Sequence, residues 1–107
     1  MKIIAIHSIN GTAHELPITD ILYFSSEGDR VIIHTADASY YPPRTLKDFA
    51  LLLSPHGFTS LEKSNLANMK MIRKYDKISK AAFFDKKCEG KHVTVSRRNI
   101  KKMSDFL

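Results

Sequence analysis

Residues 58–72 read FTSLEKSNLANMKMI. Phe58 and Leu61 lead in, Met69, Met71 and Ile72 lead out, and the polar cluster Glu62, Lys63, Ser64, Asn65 and Asn68 lies between them. The cluster is too short for an ordinary helix and too polar for a buried strand, so it reads as a corner between two strands. Lysine and asparagine on such a corner carry donors that can bond phosphates or base edges. Serine and asparagine also bend and cap the backbone, so turn chemistry accounts for the same residues. Asn68, flanked by apolar neighbours, fits the second role and is expected to tie the corner down.

N-terminal to this corner the chain reads as short strands rich in β-branched and aromatic residues. KIIAIHS is followed by Asn10-Gly11, a two-residue hairpin signal, and then by HELPI. ILYFSS and RVIIHT follow, joined by Glu27-Gly28-Asp29, and then SYY, which Pro42-Pro43 ends because proline cannot donate to a sheet ladder. Thr45 is an expected N-cap with Asp48 three residues on, and Leu46, Phe49 and Leu53 keep helical spacing until Ser54-Pro55-His56-Gly57 stops the helix. C-terminal to the corner, MKMIRKYDKIS and KAAFFD read as an antiparallel pair turning near Ser79. Lys86 to Gly90 is a polar turn, and KHVTVS alternates as a strand. A last helix over about 97–106 is expected to bury Ile100, Met103 and Phe106 or Leu107, leaving Lys101 and Lys102 outside. The expectation is a mostly β domain with two short helices.

A chain of 107 residues supports one domain with one core. Its 43% hydrophobic and 26% charged residues are those of a globular protein. No apolar run approaches the roughly 20 residues that span a bilayer. His7 and Asn10 interrupt the first apolar stretch before a signal-peptide core could form. The single Cys88 cannot form an internal disulfide, which points to the reducing cytoplasm, and the sequon at Asn10 reads as a turn. The net charge of +6 is unevenly spread: residues 1–58 hold four Lys/Arg against six Asp/Glu, and residues 59–107 hold thirteen against five. Such asymmetry suggests an anionic partner for the second half, nucleic acid first, against the plainer alternative of a solvated lysine-rich face.

Enzyme chemistry finds little support. The five histidines lack metal-ligand spacing, Gly90-Lys91 lacks the flanking residues of a phosphate-binding P-loop, and nothing marks a base partner for Cys88. No catalytic site, metal or cofactor is expected. Ser96-Arg97-Arg98-Asn99 is different. With Ser96 as N-cap, both arginines fall in the first turn of the last helix, where positive charge opposes the helix dipole at about 0.3–1 kcal/mol each. A helix start nevertheless suits an anion, and two arginines added to it form a phosphate clamp or a guanine reader.

These corners, in this order, resemble the LytTR DNA-binding domain of bacterial transcriptional regulators. The likeness runs from ILYFSSEGDRVIIHT through SYYPPRTLKDFALLL and FTSLEKSNLANMKMI to HVTVSRRNIKKM, nearly the whole chain. The resemblance implies an elongated stack of small antiparallel sheets that reads double-stranded DNA with loop side chains set into successive major grooves. Carried over by position, it nominates the Gly28-Asp29-Arg30 loop, Lys63, and Arg98. Arg98 becomes the base-contact candidate, Lys63 and Arg97 phosphate contacts, and Asn65 and Asn99 serve either role.

The chain departs from the family pattern at Ser60 and Glu62, where arginine and histidine are usual, and at Ala67, where valine is common. Glu62 beside a phosphate would repel it unless it accepts from a cytosine amine or pairs with Lys63, and Asp29 raises the same question. The expected function is therefore sequence-specific DNA binding for transcriptional regulation. The rival is a protein-interaction module that keeps the fold without reading DNA, and an RNA-binding domain is a third reading. The resemblance also implies a phosphorylatable receiver domain as a companion in the full-length regulator and allows dimerisation on repeated DNA sites. No membrane partner is expected.

Overall fold

Hairpins build most of the chain. In the computed structural model, which describes residues 1–42 and 45–106, ten strands and one α-helix alternate with short 3-10 turns. The strands are β1 (Lys2–His7), β2 (Ala13–Pro17), β3 (Ile21–Glu27), β4 (Arg30–Thr35), β5 (Ser39–Tyr41), β6 (Phe58–Thr59), β7 (Asn65–Asn68), β8 (Lys74–Asp76), β9 (Ala81–Phe83) and β10 (His92–Thr94). They form a seven-stranded antiparallel sheet in the order β2-β1-β5-β4-β3-β7-β6 and a three-stranded one in the order β10-β9-β8. The fold is the expected mainly β stack of antiparallel sheets with two short helices, and its longest dimension is 38 Å.

The first hairpin differs from the two-residue turn expected at Asn10-Gly11. Its loop is Ser8–Gly11, closed by the His7 N–H donating to Thr12 O at 2.8 Å. Side chains set that length: His7 Nδ1 accepts from the Ile9 and Asn10 N–H groups, and Asn10 Oδ1 accepts from the Thr12 N–H and hydroxyl. Between β3 and β4 the turn is shorter than expected, because Glu27 and Arg30 pair directly and leave only Gly28-Asp29. Gly28 supplies the positive φ, +62°, that a type II′ turn needs at its first central position.

One irregularity distributes the apolar residues of β3 between two cores. The β3–β4 register shifts between Ile21 and Tyr23, making Leu22 an extra residue. Ile21 and Phe24 therefore face the same side, while Tyr23 faces the other. On one side Ile21, Phe24, Ile33 and Leu66 pack with Phe49 and Leu53 of the helix α1 (Leu46–Leu53). On the other, Ala67 and Tyr23 meet Leu61, Tyr75, Ala82, Val93, Val95 and Met103. Each fully buried Phe, Leu or Ile in these layers stabilises the fold by about 1.5–3 kcal/mol.

Thr45 caps α1 as expected, accepting from the Asp48 N–H at 3.2 Å, and Gly57 at φ +88° ends the 3-10 turn that follows it. Residues 69–71 form a 3-10 turn instead of the start of a strand. The last helix, Arg97–Phe106, is wound as a 3-10 helix; Met103 is buried, and Ile100 and Phe106 pack against the same core. Ser96 opens it through its carbonyl, which accepts from the Asn99 N–H, while its hydroxyl takes the Asn99 side chain rather than a backbone donor. Pro43, Arg44 and Leu107 lie outside the described residues.

Candidate nucleic-acid interface

The 61–65 corner is built from the inside by Asn65. Its Oδ1 accepts from the Leu61 and Glu62 N–H groups at 3.0 and 3.1 Å, and its Nδ2 donates to Thr94 O at 2.9 Å. The residue is buried and its hydrogen-bonding capacity goes to holding β7, β10 and the corner together. Asn65 is thus the pin of the corner, its amide bonded to three backbone groups of the fold. Asn68 ties the other end of β7 down, as expected, with Nδ2 donating to Ile21 O at 3.0 Å.

Glu62 is half-buried and bonded within its own turn. Its Oε1 accepts from the Ser64 N–H at 2.6 Å, and both oxygens accept from the Ser64 hydroxyl. The carboxylate closes the turn beneath Lys63, with Ser64 as its partner. Lys63 is left exposed at the apex.

Leu61 joins this corner to the second one. Its carbonyl accepts from the Ser96 N–H at 2.8 Å and from Asn99 Nδ2 at 3.0 Å. Asn99 accordingly spends its donor in the fold, with Ser96 Oγ as the second acceptor, and retains only Oδ1 for a ligand. Arg97 and Arg98 stay exposed at the helix start. Ser60, Glu62, Lys63, Ser96, Arg98 and Asn99 line a shared concavity of about 410 Å³.

The β3–β4 tip lies at the same end of the large sheet, because Ser25 pairs with Asn65 and the Ser26 N–H donates to Ser64 O at 2.9 Å. Glu27 and Ser26 share a cleft of about 250 Å³ with Glu62, Ser64, His92 and Thr94. Asp29 and Arg30 are exposed, and the Arg30 guanidinium lies 4.6 Å over the Tyr41 ring. A larger concavity of about 780 Å³ opens between this tip and the start of α1, but its only basic side chain among the described residues is Arg30, facing Glu27, Asp29 and Asp48. That balance of charge does not suit a phosphate. The predicted residues thus sort into exposed cations at one end (Lys63, Arg97, Arg98), the exposed pair Asp29 and Arg30 at the hairpin tip, and the amides Asn65 and Asn99 that assemble the frame.

The sequence from residue 11 to residue 107 matches the family model described as the LytTr DNA-binding domain. The chain belongs to that family. As a LytTr domain it is also similar in fold to a solved structure titled as the LytTr DNA-binding domain of a methyl-accepting/DNA response regulator from Bacillus cereus. That likeness has a TM-score of 0.77 at 17% identity, over 99% of this chain and 96% of the other. The fold comparison adds β1, which precedes the matched residues yet sits inside the sheet between β2 and β5. No curated protein matches the chain. Among the described residues of this LytTr domain, no group of three or more His, Cys, Asp or Glu side chains converges to hold a metal, and no helix is long and apolar enough to cross a membrane.

Sequence reasoning did not anticipate the contribution of Ser60 and Ser96 to the concavity, or of Leu61 O, which locks the two corners at a fixed separation. The bond from Leu61 leaves no trace in residue type, since any residue offers a carbonyl. The turn at Asp76–Lys80 carries only turn chemistry in its sequence, yet it stands beside the second corner: the Val95 N–H donates to Lys80 O at 2.9 Å.

Proposed function

We propose that this LytTr domain binds double-stranded DNA sequence-specifically in transcriptional regulation, with its loop side chains entering successive major grooves. The observation that carries the reading is the union of the two corners through Leu61 O, which backs Lys63 and Arg98 onto one rigid support with the acid of the corner tied to Ser64. Arg98, free of internal bonds among the described residues, offers a planar fork for guanine, the commonest specific contact in the major groove. Lys63 and Arg97 offer phosphate contacts, and the Gly28–Arg30 tip reaches the duplex further along its axis. Asn99 Oδ1 is an acceptor suited to a cytosine or adenine amino group.

Selection from randomised duplexes near physiological salt tests the reading. A recurrent motif is expected among retained duplexes. Arg98→Ala should cost about 1–3 kcal/mol on that motif and relax preference at one base pair. Lys63→Ala should weaken all duplexes alike and flatten the dependence of log affinity on log salt by about one unit. A retained pool identical to the input would reject DNA reading and return the domain to the protein-interaction alternative.

A further inference from the structure

The β8–β9 hairpin ends in Asp76-Lys77-Ile78-Ser79-Lys80, and its tip is unusual for a surface turn. Ile78 is 95% exposed, more than any other large apolar side chain of the described residues, and it stands between the exposed Lys77 and Lys80. Nothing in the packing of the described residues uses it. The turn beneath it is nevertheless tightly built. Asp76 Oδ1 accepts from the Ile78 N–H at 3.2 Å and Oδ2 from the Ser79 hydroxyl at 2.7 Å. Lys80 adopts φ +56°, a left-handed conformation uncommon for a residue with a side chain, and its carbonyl is fixed by the Val95 N–H. The tip is therefore held in place one residue from Ser96, where the arginine corner begins.

Two features give this tip a chemistry. The turn holds two lysines against one acid, Asp76, whose two oxygens accept from the Ile78 N–H and the Ser79 hydroxyl, so its net charge is positive. Between the two lysines sits a β-branched apolar group, the kind of surface that packs on the 5-methyl group of thymine. We propose that the β8–β9 turn is a further DNA-contacting element, in which Lys77 and Lys80 hold backbone phosphates and Ile78 packs on a thymine methyl. The inference rests on the DNA-binding reading and extends its footprint beyond the residues the family resemblance nominates.

The test uses the full chain on a duplex retained in the selection, and on copies with deoxyuridine replacing thymine one position at a time. For the Lys77→Gln, Lys80→Gln double variant, the slope of log affinity against log salt should flatten by about 1.8 with base preference unchanged. Wild type should lose about 3-fold to 4-fold at one thymine-to-uracil position, the worth of one methyl group removed from water. Ile78→Ser should bind both copies equally. A slope unchanged in the double variant overturns the turn as a DNA contact. A slope that falls while no uracil position matters overturns the role of Ile78. Arg98→Ala is measured beside these: if it relaxes base preference while the turn variants behave as wild type, the DNA-binding reading stands and this inference alone fails. If wild type retains no duplex, both fall.

Discussion

An asparagine offers a donor and an acceptor on one short side chain, which is why Asn65 invites two readings from its sequence. Next to Lys63 it resembles a base-reading amide; in the fold it replaces a missing strand partner for Leu61 and Glu62. The fold buries it and gives its amide three backbone partners, one of them Thr94 O from almost thirty residues away, which local sequence does not encode. Asn68 was readable because its apolar flanks already implied burial. For Asn65→Ala, the N–H groups of Leu61 and Glu62 and the carbonyl of Thr94 lose their side-chain partner. The expected loss is about 1–3 kcal/mol of stability, seen as a lower urea midpoint with an unchanged m value. DNA affinity per folded molecule should fall as well, because the corner that carries Lys63 loosens. A variant as stable as wild type would return Asn65 to the interface.

Elements were readable where a period was present. The alternation in β3, β4 and β10 and the Leu46/Phe49/Leu53 stripe of α1 appear as expected, since each needs only its own neighbours to be recognised. Residues 69–72 mislead because Met-Lys-Met-Ile is too short to fix a period; Met69–Met71 form a 3-10 turn before β8. Contacts between elements were not readable at all. Lys91, one more lysine in a basic half, reaches across from just before β10 to the end of β4 and the loop after it, where its Nζ donates to Thr35 O at 2.6 Å and to Ala38 O at 3.0 Å. Burial lowers its pKa, while Asp37 opposes that shift. Hydrogen bonds from a charged donor are worth about 1.5–3 kcal/mol, so Lys91→Met should lower unfolding stability by roughly that amount. The DNA salt slope should stay unchanged, because this lysine faces the fold and not the ligand. A flattened slope would instead put Lys91 on a phosphate.

At the scale of the whole molecule, the charge division in the sequence corresponds to a division of layers. The acidic half forms β1 to β5 of the large sheet, and most of the basic half forms the small sheet, its turns and the last helix. The two layers meet at a stack of rings: Tyr23 lies 4.0 Å from His34 and 5.6 Å from Phe84, nearly parallel to both. His34 also shares a hydrogen bond with the Ser25 hydroxyl at 2.9 Å. Burial first, and then the charge of Lys91, lower the His34 pKa to about 4. Its folded value therefore lies below its unfolded value of 6.5, so the unfolded chain takes up the proton first. The stability His34 contributes is fully present above about pH 6.5 and is lost as the pH falls toward 4. Asp76 and Asp85 act in the same direction at lower pH. The Ser79 hydroxyl, then the Ile78 N–H, lower the pKa of Asp76, and the Glu89 N–H chiefly lowers that of Asp85, so their contributions go as the pH falls below the ordinary carboxylate value. Two acid limbs are expected in a plot of unfolding stability against pH. His34→Gln, which keeps a hydrogen-bonding group beside Ser25, should remove the upper limb and leave the lower one. If the upper limb persists unchanged in His34→Gln, another group titrates there and the ring stack does not set the acid stability of the domain.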